Sequence, residues 1–293
     1  MEKIRVILDW TPDAKHSIIW AAQRNRYFQE KGISVEMVAP PSKSAKSLEM
    51  IHQGRAEIAI NYPHNILLMR EDLPRLLCLG ALVKKNSQGL LSLQEKKIVL
   101  PADLKGKRLG IGPSPVSRGQ FEVFLSSNDL SVKDLIVRTV GFEGEELLLA
   151  DEIDALDAVQ YAITRTIGKG RKVNFIPYTR FGVPDSPFLV FISTDLWADE
   201  RRELVKGFFS SLIKGLSLVK TWTPGEWKEY TDTVPGRTPE EEMKIWEATL
   251  PLIDDGGKLF ANNITELEKL QRILFQKGVL KKEYICKKIF LNP

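Results

Sequence analysis

Short apolar, β-branched runs alternate with segments of helical length along most of this chain, and that alternation constrains the fold more than any other feature. Ile4-Arg5-Val6-Ile7-Leu8 reads as a strand, followed by the turn Asp9-Trp10-Thr11-Pro12-Asp13 and a helix over 16–30 closed by Gly32. Residues 33–38 alternate like a second strand, 44–53 form a short helix before Gly54, and 58–60 a third strand. The pattern then restarts. Strands are predicted at 76–83, 89–93, 108–111, 135–140, 153–159 and 173–176, with helices over 116–127 and 143–150. After a last strand at 189–192 the chain turns helical, over 199–221, 225–231, 238–250 and 264–277. This is an α/β pattern with mainly parallel sheets. Two such series within 293 residues predict two lobes: 1–83 plus 194–293, and 84–193. Two chain crossings give a two-strand hinge that permits closure on a ligand. Open sheets of this class bind at the carboxyl ends of their strands, so the residues there become candidates.

Composition removes several function classes. With 43% hydrophobic and 27% charged residues, the chain can bury a full core without metal or disulfide staples. The net charge of +4 gives no dense basic stripe for nucleic acid. Cys78 and Cys286 have no metal spacing, and the sequence leaves their pairing open. No bound metal or cofactor is expected. His16, His52 and His64 form no H-E-x-x-H, no G-x-S-x-G occurs, and the glycines at 110 and 112 fit neither a P-loop nor a dinucleotide fingerprint. No catalytic set emerges. No apolar run is long enough to span a membrane, and Met1-Glu2-Lys3 leads straight into a short strand rather than an export signal.

Trp10, just after the first strand, presents a flat indole suited to a planar heteroaromatic ligand, although it also suits a cap on the core beneath it. His16 opens the first helix, as a ligand donor or a backbone-bonded first-turn residue. Asn61 and Tyr62 follow the third strand with a donor, acceptor and ring. Ser114 is an N-cap before Pro115, at a helix start whose free N–H groups suit an oxygen of a ligand. Gln160 and Tyr161 end the strand containing Asp157, a carboxylate that needs either solvent or a partner.

Leu8-Asp9-Trp10-Thr11-Pro12 with His16, then Tyr27-Phe28-Gln29-Glu30-Lys31-Gly32-Ile33, resembles the opening of the ThiY-like and SsuA-like substrate-binding proteins of ABC importers. Asp103-Leu104-Lys105-Gly106-Lys107, Gly141-Phe142, Ile153-Asp154-Ala155, Phe181-Gly182-Val183-Pro184 and Gln276-Lys277-Gly278 continue that resemblance in order. It implies a type II periplasmic-binding-protein fold and capture of a small planar solute, such as a thiamin-pyrimidine precursor. It also implies an ABC permease as partner, action as a monomer, and a location outside the cytoplasmic membrane, in the periplasm or anchored at the cell surface. The expected chain is a mature form whose signal has been removed; a native gene without a signal would place it in the cytoplasm. Gln160 and Tyr161 fall where the family carries polar and aromatic residues. Pyrimidine binders of the family have a carboxylate after the G-V-P turn, where Phe188 stands here, so a less polar or differently decorated ligand is one expectation, with Asp185 as a possible substitute acid. Alternatives are a thiamin-pyrimidine synthase or a binder of aliphatic sulfonates. The synthases carry a lysine after the third strand and a cysteine cluster. Here Asn61 takes that place, with no Lys between Arg55 and Arg70 and no Cys between Cys78 and Cys286.

Overall fold

The computed structural model describes residues 1–41, 44–112, 115–141, 143–168 and 170–293. Contacts divide the chain into two compact units, Met1–Lys85 with Pro187–Ile264 and Tyr284–Pro293, and Asn86–Ser186 with Thr265–Glu283. Each is an α/β unit around a five-stranded sheet.

In the first unit, β1 (Glu2–Ile7), β2 (Ile33–Val38), β3 (Ile58–Asn61), β4 (Leu76–Val83) and β10 (Leu189–Thr194) lie in the order β2-β1-β3-β10-β4. β1 pairs in parallel with β2 and β3, whereas β10 runs antiparallel to both β3 and β4. The eight residues of β4 are all buried, and its outer edge is covered by the chain's last residues, which bridge Cys78 to Phe290. The second unit repeats the plan. β5 (Gln88–Leu93), β6 (Arg108–Ile111), β7 (Ile136–Thr139), β8 (Ala155–Val159) and β9 (Val173–Pro177) take the order β7-β6-β8-β5-β9, with β5 antiparallel to β8 and β9. Four strands of each sheet share one direction, so the sheets are mainly parallel in direction but mixed in pairing.

Helices cover the sheets: α1 (Ser17–Arg24), α2 (Ser44–His52), α3 (Pro63–Leu68), α4 (Pro115–Ser126), α5 (Gly144–Leu149), α6 (Ala162–Gly168), α7 (Asp195–Glu200), α8 (Arg202–Val219), α9 (Pro224–Thr231), α10 (Pro239–Ile253) and α11 (Ile264–Gln276). Gly32 and Gly54 close helical segments at φ +71° and +69°, the left-handed conformation that a glycine adopts without a Cβ penalty. α1 and α8 pack so closely that a Cβ on Gly215 would stand 2.4 Å from the Ile18 carbonyl oxygen.

Several sequence expectations need correction. The helix over 16–30 ends at Arg24, where the Asn25 side chain donates to the Ala21 carbonyl at 2.9 Å and Arg26 turns to φ +61°. The segment 199–221 is two helices, broken at Arg201. α3 and α6 were not anticipated; Pro63 marks a first helical position rather than a loop. The second crossing falls at Pro187, because β10 pairs wholly within the first sheet, and residues 265–283, expected in the first lobe, belong to the second unit. There Leu274 of α11 lies against Gly119 of α4. The chain passes between the units at 85–86, 186–187, 264–265 and 283–284.

Candidate functional site

β1 delivers the chain into a turn whose base is a buried ionic cluster. Asp13 caps a 3-10 turn, Ala14–His16, by accepting the Lys15 backbone N–H at 3.2 Å. The Asp13 backbone N–H donates to His16 Nδ1 at 3.1 Å, which leaves Nε2–H to donate to Asp9 Oδ1 at 2.9 Å. Lys15 Nζ lies 2.6 Å from Asp13 Oδ2 and 3.3 Å from Asp9 Oδ2. From α9, the Tyr230 hydroxyl donates to the Asp13 carbonyl at 2.7 Å. Burial disfavours the Asp13 carboxylate, yet Lys15 and His16 outweigh it and hold that carboxyl far below its usual range. For His16, burial and Lys15 oppose the imidazolium, but Asp13 and Asp9 prevail and raise its pKa. Glu242 of α10, fully buried with Arg237 Nε at 3.5 Å, is pushed up to about 7 by burial and by Asp13.

This cluster makes the turn a rigid mount for Trp10, which keeps 38% of its surface exposed. His16 is entirely buried and both its nitrogens are bonded, the backbone-bonded reading of that residue with a carboxylate added. Asn61, at the end of β3, is committed within its own turn: Oδ1 accepts from the Tyr62 backbone N–H and from Asn65, both at 2.7 Å, and Nδ2 donates to Ser47 Oγ at 2.8 Å. Beyond it three rings form a wall. Tyr62 lies near-parallel to His64, with centroids 5.6 Å apart, and meets Phe188 edge-on at 5.2 Å. The sequence brought out Tyr62 and Phe188 but left His64 as a bystander. Its signal was position, three residues after the end of an apolar strand.

In the second unit, Ser114 lies outside the described residues. Gln160 follows β8 and is exposed, its backbone N–H donating to the Ser87 carbonyl at 2.7 Å, while Tyr161 beside it is buried. Asp157 has partners: both its oxygens accept from Gln88 Nε2 at 3.0 Å, and Oδ1 accepts from the Tyr178 hydroxyl at 2.8 Å. All these donors are neutral, and burial pushes the carboxyl up to about 7. Asn86 Nδ2 donates to Gln120 Oε1 at 3.0 Å, and Asp185 accepts the Asn86 backbone N–H at 2.9 Å, which ties that acid to the segment leading into β5. Gln88, Tyr178, Asn86 and Gln120 were not anticipated from sequence; the pairing of β5 with β8 and β9 is what brings Gln88 and Tyr178 to Asp157.

The described residues include no group of three or more His, Cys, Asp and Glu able to hold a metal ion. Cys78 and Cys286 are buried and form no disulfide, and burial pushes the Cys78 thiol up to about 12, far from a thiolate nucleophile. No described helix is long and apolar enough to cross a membrane.

Two mixed five-stranded α/β units of this plan define the type II periplasmic-binding-protein fold. The aliphatic sulphonate binding protein SsuA of Escherichia coli superposes over 100% of this chain and 93% of its own, with a TM-score of 0.77 at 13% identity. The chain belongs to the NMT1/THI5 like family, whose model matches residues 13–221. Among relatives, it is 26% identical over 265 residues to a formylaminopyrimidine-binding protein of Halalkalibacterium halodurans, covering 87% of this chain and 74% of the other. It is 23% identical over 247 residues to a 4-amino-5-hydroxymethyl-2-methylpyrimidine phosphate synthase of Saccharomyces cerevisiae, covering 80% and 72%. These relatives thus include both a binder and an enzyme.

Proposed function

We propose that this protein is the solute-binding component of an ABC importer and captures a small planar heteroaromatic compound, a pyrimidine precursor of thiamin, without altering its bonds. The observation that carries this reading is Trp10: an indole left exposed on a turn that the chain anchors with a buried ion cluster. A ring held so firmly stacks a flat ligand at little entropic cost, adding roughly 0.5–1.5 kcal/mol beyond the area it covers. Tyr62, backed by Phe188, adds an aromatic ring at the next strand end of the same unit; in the second unit, Gln160 and Tyr161 at the end of β8 are the candidate ligand contacts. Ligand binding favours a closed state by its differential affinity for that state, and the loaded protein meets a membrane permease outside the cytoplasmic membrane. The relative that binds formylaminopyrimidine supports this choice of ligand.

The synthase reading rests on the yeast relative, and Asn61 argues against it. The position at which a synthase would carry an amine holds an amide, already bonded to Ser47, Asn65 and Tyr62. Lys15 and Lys84, the buried lysines of the first unit among the described residues, are each paired with carboxylates and so offer a sulfonate no spare charge.

Thermal unfolding with formylaminopyrimidine, with 4-amino-5-hydroxymethyl-2-methylpyrimidine and with an alkanesulfonate separates the readings. A pyrimidine at a hundredfold excess over Kd should stabilise the chain by about 2.7 kcal/mol, and Trp10→Ala should remove most of that rise in Tm. A rise with the sulfonate alone would overturn the pyrimidine assignment, and turnover of a pyrimidine by the purified chain would overturn the binding assignment.

A further inference from the structure

His64 sits in the first turn of α3, directly beyond the carboxyl end of β3, where open α/β sheets place their ligands. Its side chain is buried, at 2% exposure, and neither Nδ1 nor Nε2 has a hydrogen-bond partner. The same unit shows what a structural buried imidazole looks like: His16 has both nitrogens bonded. Buried polar atoms left unmatched cost about 1–3 kcal/mol each, and native folds keep few of them. A leucine or phenylalanine would fill this space without that cost. The ring is nevertheless held in place, near-parallel to Tyr62 with an interplanar angle of 16°, and Tyr62 in turn meets Phe188.

We infer that His64 is a specificity-determining residue of the ligand site, whose imidazole hydrogen-bonds the uncharged polar edge of a heteroaromatic solute packed against Tyr62. This rests on the pyrimidine-binding reading and narrows it to the edge that is recognised. Burial holds the imidazole down at about 3, so the ring is neutral at physiological pH. With no partner fixing its tautomer, it is free to present either an N–H or a lone pair. That suits an amino group beside a ring nitrogen, or a formamide, each of which carries donors and acceptors together. It gives no compensation to a buried anion, so a sulfonate has no use for it.

The test sets two readouts against each other. His64→Leu removes the unmatched nitrogens, so in urea unfolding at pH 7.5 the ligand-free variant should be at least as stable as the wild type. Its affinity for formylaminopyrimidine in isothermal titration should fall at least tenfold, with His64→Gln recovering part of the loss because an amide again offers donor and acceptor. Nitrogen chemical shifts of the His64 ring in the wild type should move to one fixed tautomer when that compound is added. A residue needed only for the fold would lose stability on His64→Leu, and that result overturns the inference. Unchanged affinity with unmoved ring shifts also overturns it, while the pyrimidine reading stands. A wild type that binds neither pyrimidine overturns that reading, and the ligand class named for His64 falls with it. An alkanesulfonate whose affinity depends on His64 contradicts the neutral edge.

Discussion

Two buried carboxyl sites near strand ends, one in each unit, are balanced differently. In the first, Asp9 and Asp13 share Lys15 and His16, and the opposite charges keep Asp13 ionised far into acid. In the second, Asp157 accepts from the Gln88 amide and the Tyr178 hydroxyl, and burial raises it to about 7. Three hydrogen bonds from neutral groups do not replace one buried cation. The first arrangement makes a stiff mount; the second leaves a carboxyl poised between two charge states.

The largest expected effect comes from removing the cation. Lys15→Met leaves Asp9 and Asp13 buried without it, and urea unfolding should show a loss of about 3–5 kcal/mol at pH 7. Loss below 1 kcal/mol would mean that the cluster is no mount at all.

The second unit should respond in the opposite sense to base. A carboxyl with a raised folded pKa adds stability fully below its unfolded value, and that stability is lost as pH rises through the folded one. Asp157 therefore erodes stability between about pH 4 and 7, with a slope of up to about 1.4 kcal/mol per pH unit. Asp157→Asn should flatten that slope and gain about 1–2 kcal/mol at pH 8, less than the full shift implies because the residue is partly open to water. Glu242 carries the same sign within the first unit, since burial and Asp13 also lift it to about 7. Glu242→Gln should thus gain stability at pH 8 as well, and a loss there would show that its contact with Arg237 outweighs burial. For Asp13 the sign reverses: its contribution is present above the unfolded value and disappears only as pH falls through the far lower folded one. Stability measured from pH 3 to 9 in the wild type and these two variants would separate the opposed slopes.

The smallest effect is a surface control. Lys228 and Asp232 pair at 2.8 Å across one turn of α9 with both side chains largely exposed. Lys228→Ala should change stability by no more than about 0.5 kcal/mol.

The sequence showed the strands well because their burial is local: the fully apolar run of β4 and the alternation of β2 need no partner to be recognised. Gly32 and Gly54 likewise announced their left-handed turns. The reversed direction of β5 and β10 was not legible, since each pairs with a strand far off in sequence: Gln88 of β5 faces Val159, and Ile192 of β10 faces Ala59. The same holds for α11, whose apolar face fits either unit until Leu274 is seen against Gly119. Of the candidate site, Trp10 could be read from its place after a strand. That Lys15 is buried could not, because lysine is ordinarily exposed and only the carboxylates two and six residues before it make burial tolerable. Asp157 was recognised as a residue needing a partner, but Gln88 and Tyr178 are distant in sequence and adjacent only through the sheet.

Isothermal titration of the purified chain with formylaminopyrimidine tests the central claim most directly. Saturable binding at one site per chain, with the compound recovered unchanged and the heat lost in Trp10→Ala, is the predicted result. An absence of binding heat, or recovery of a chemically altered pyrimidine, would contradict it.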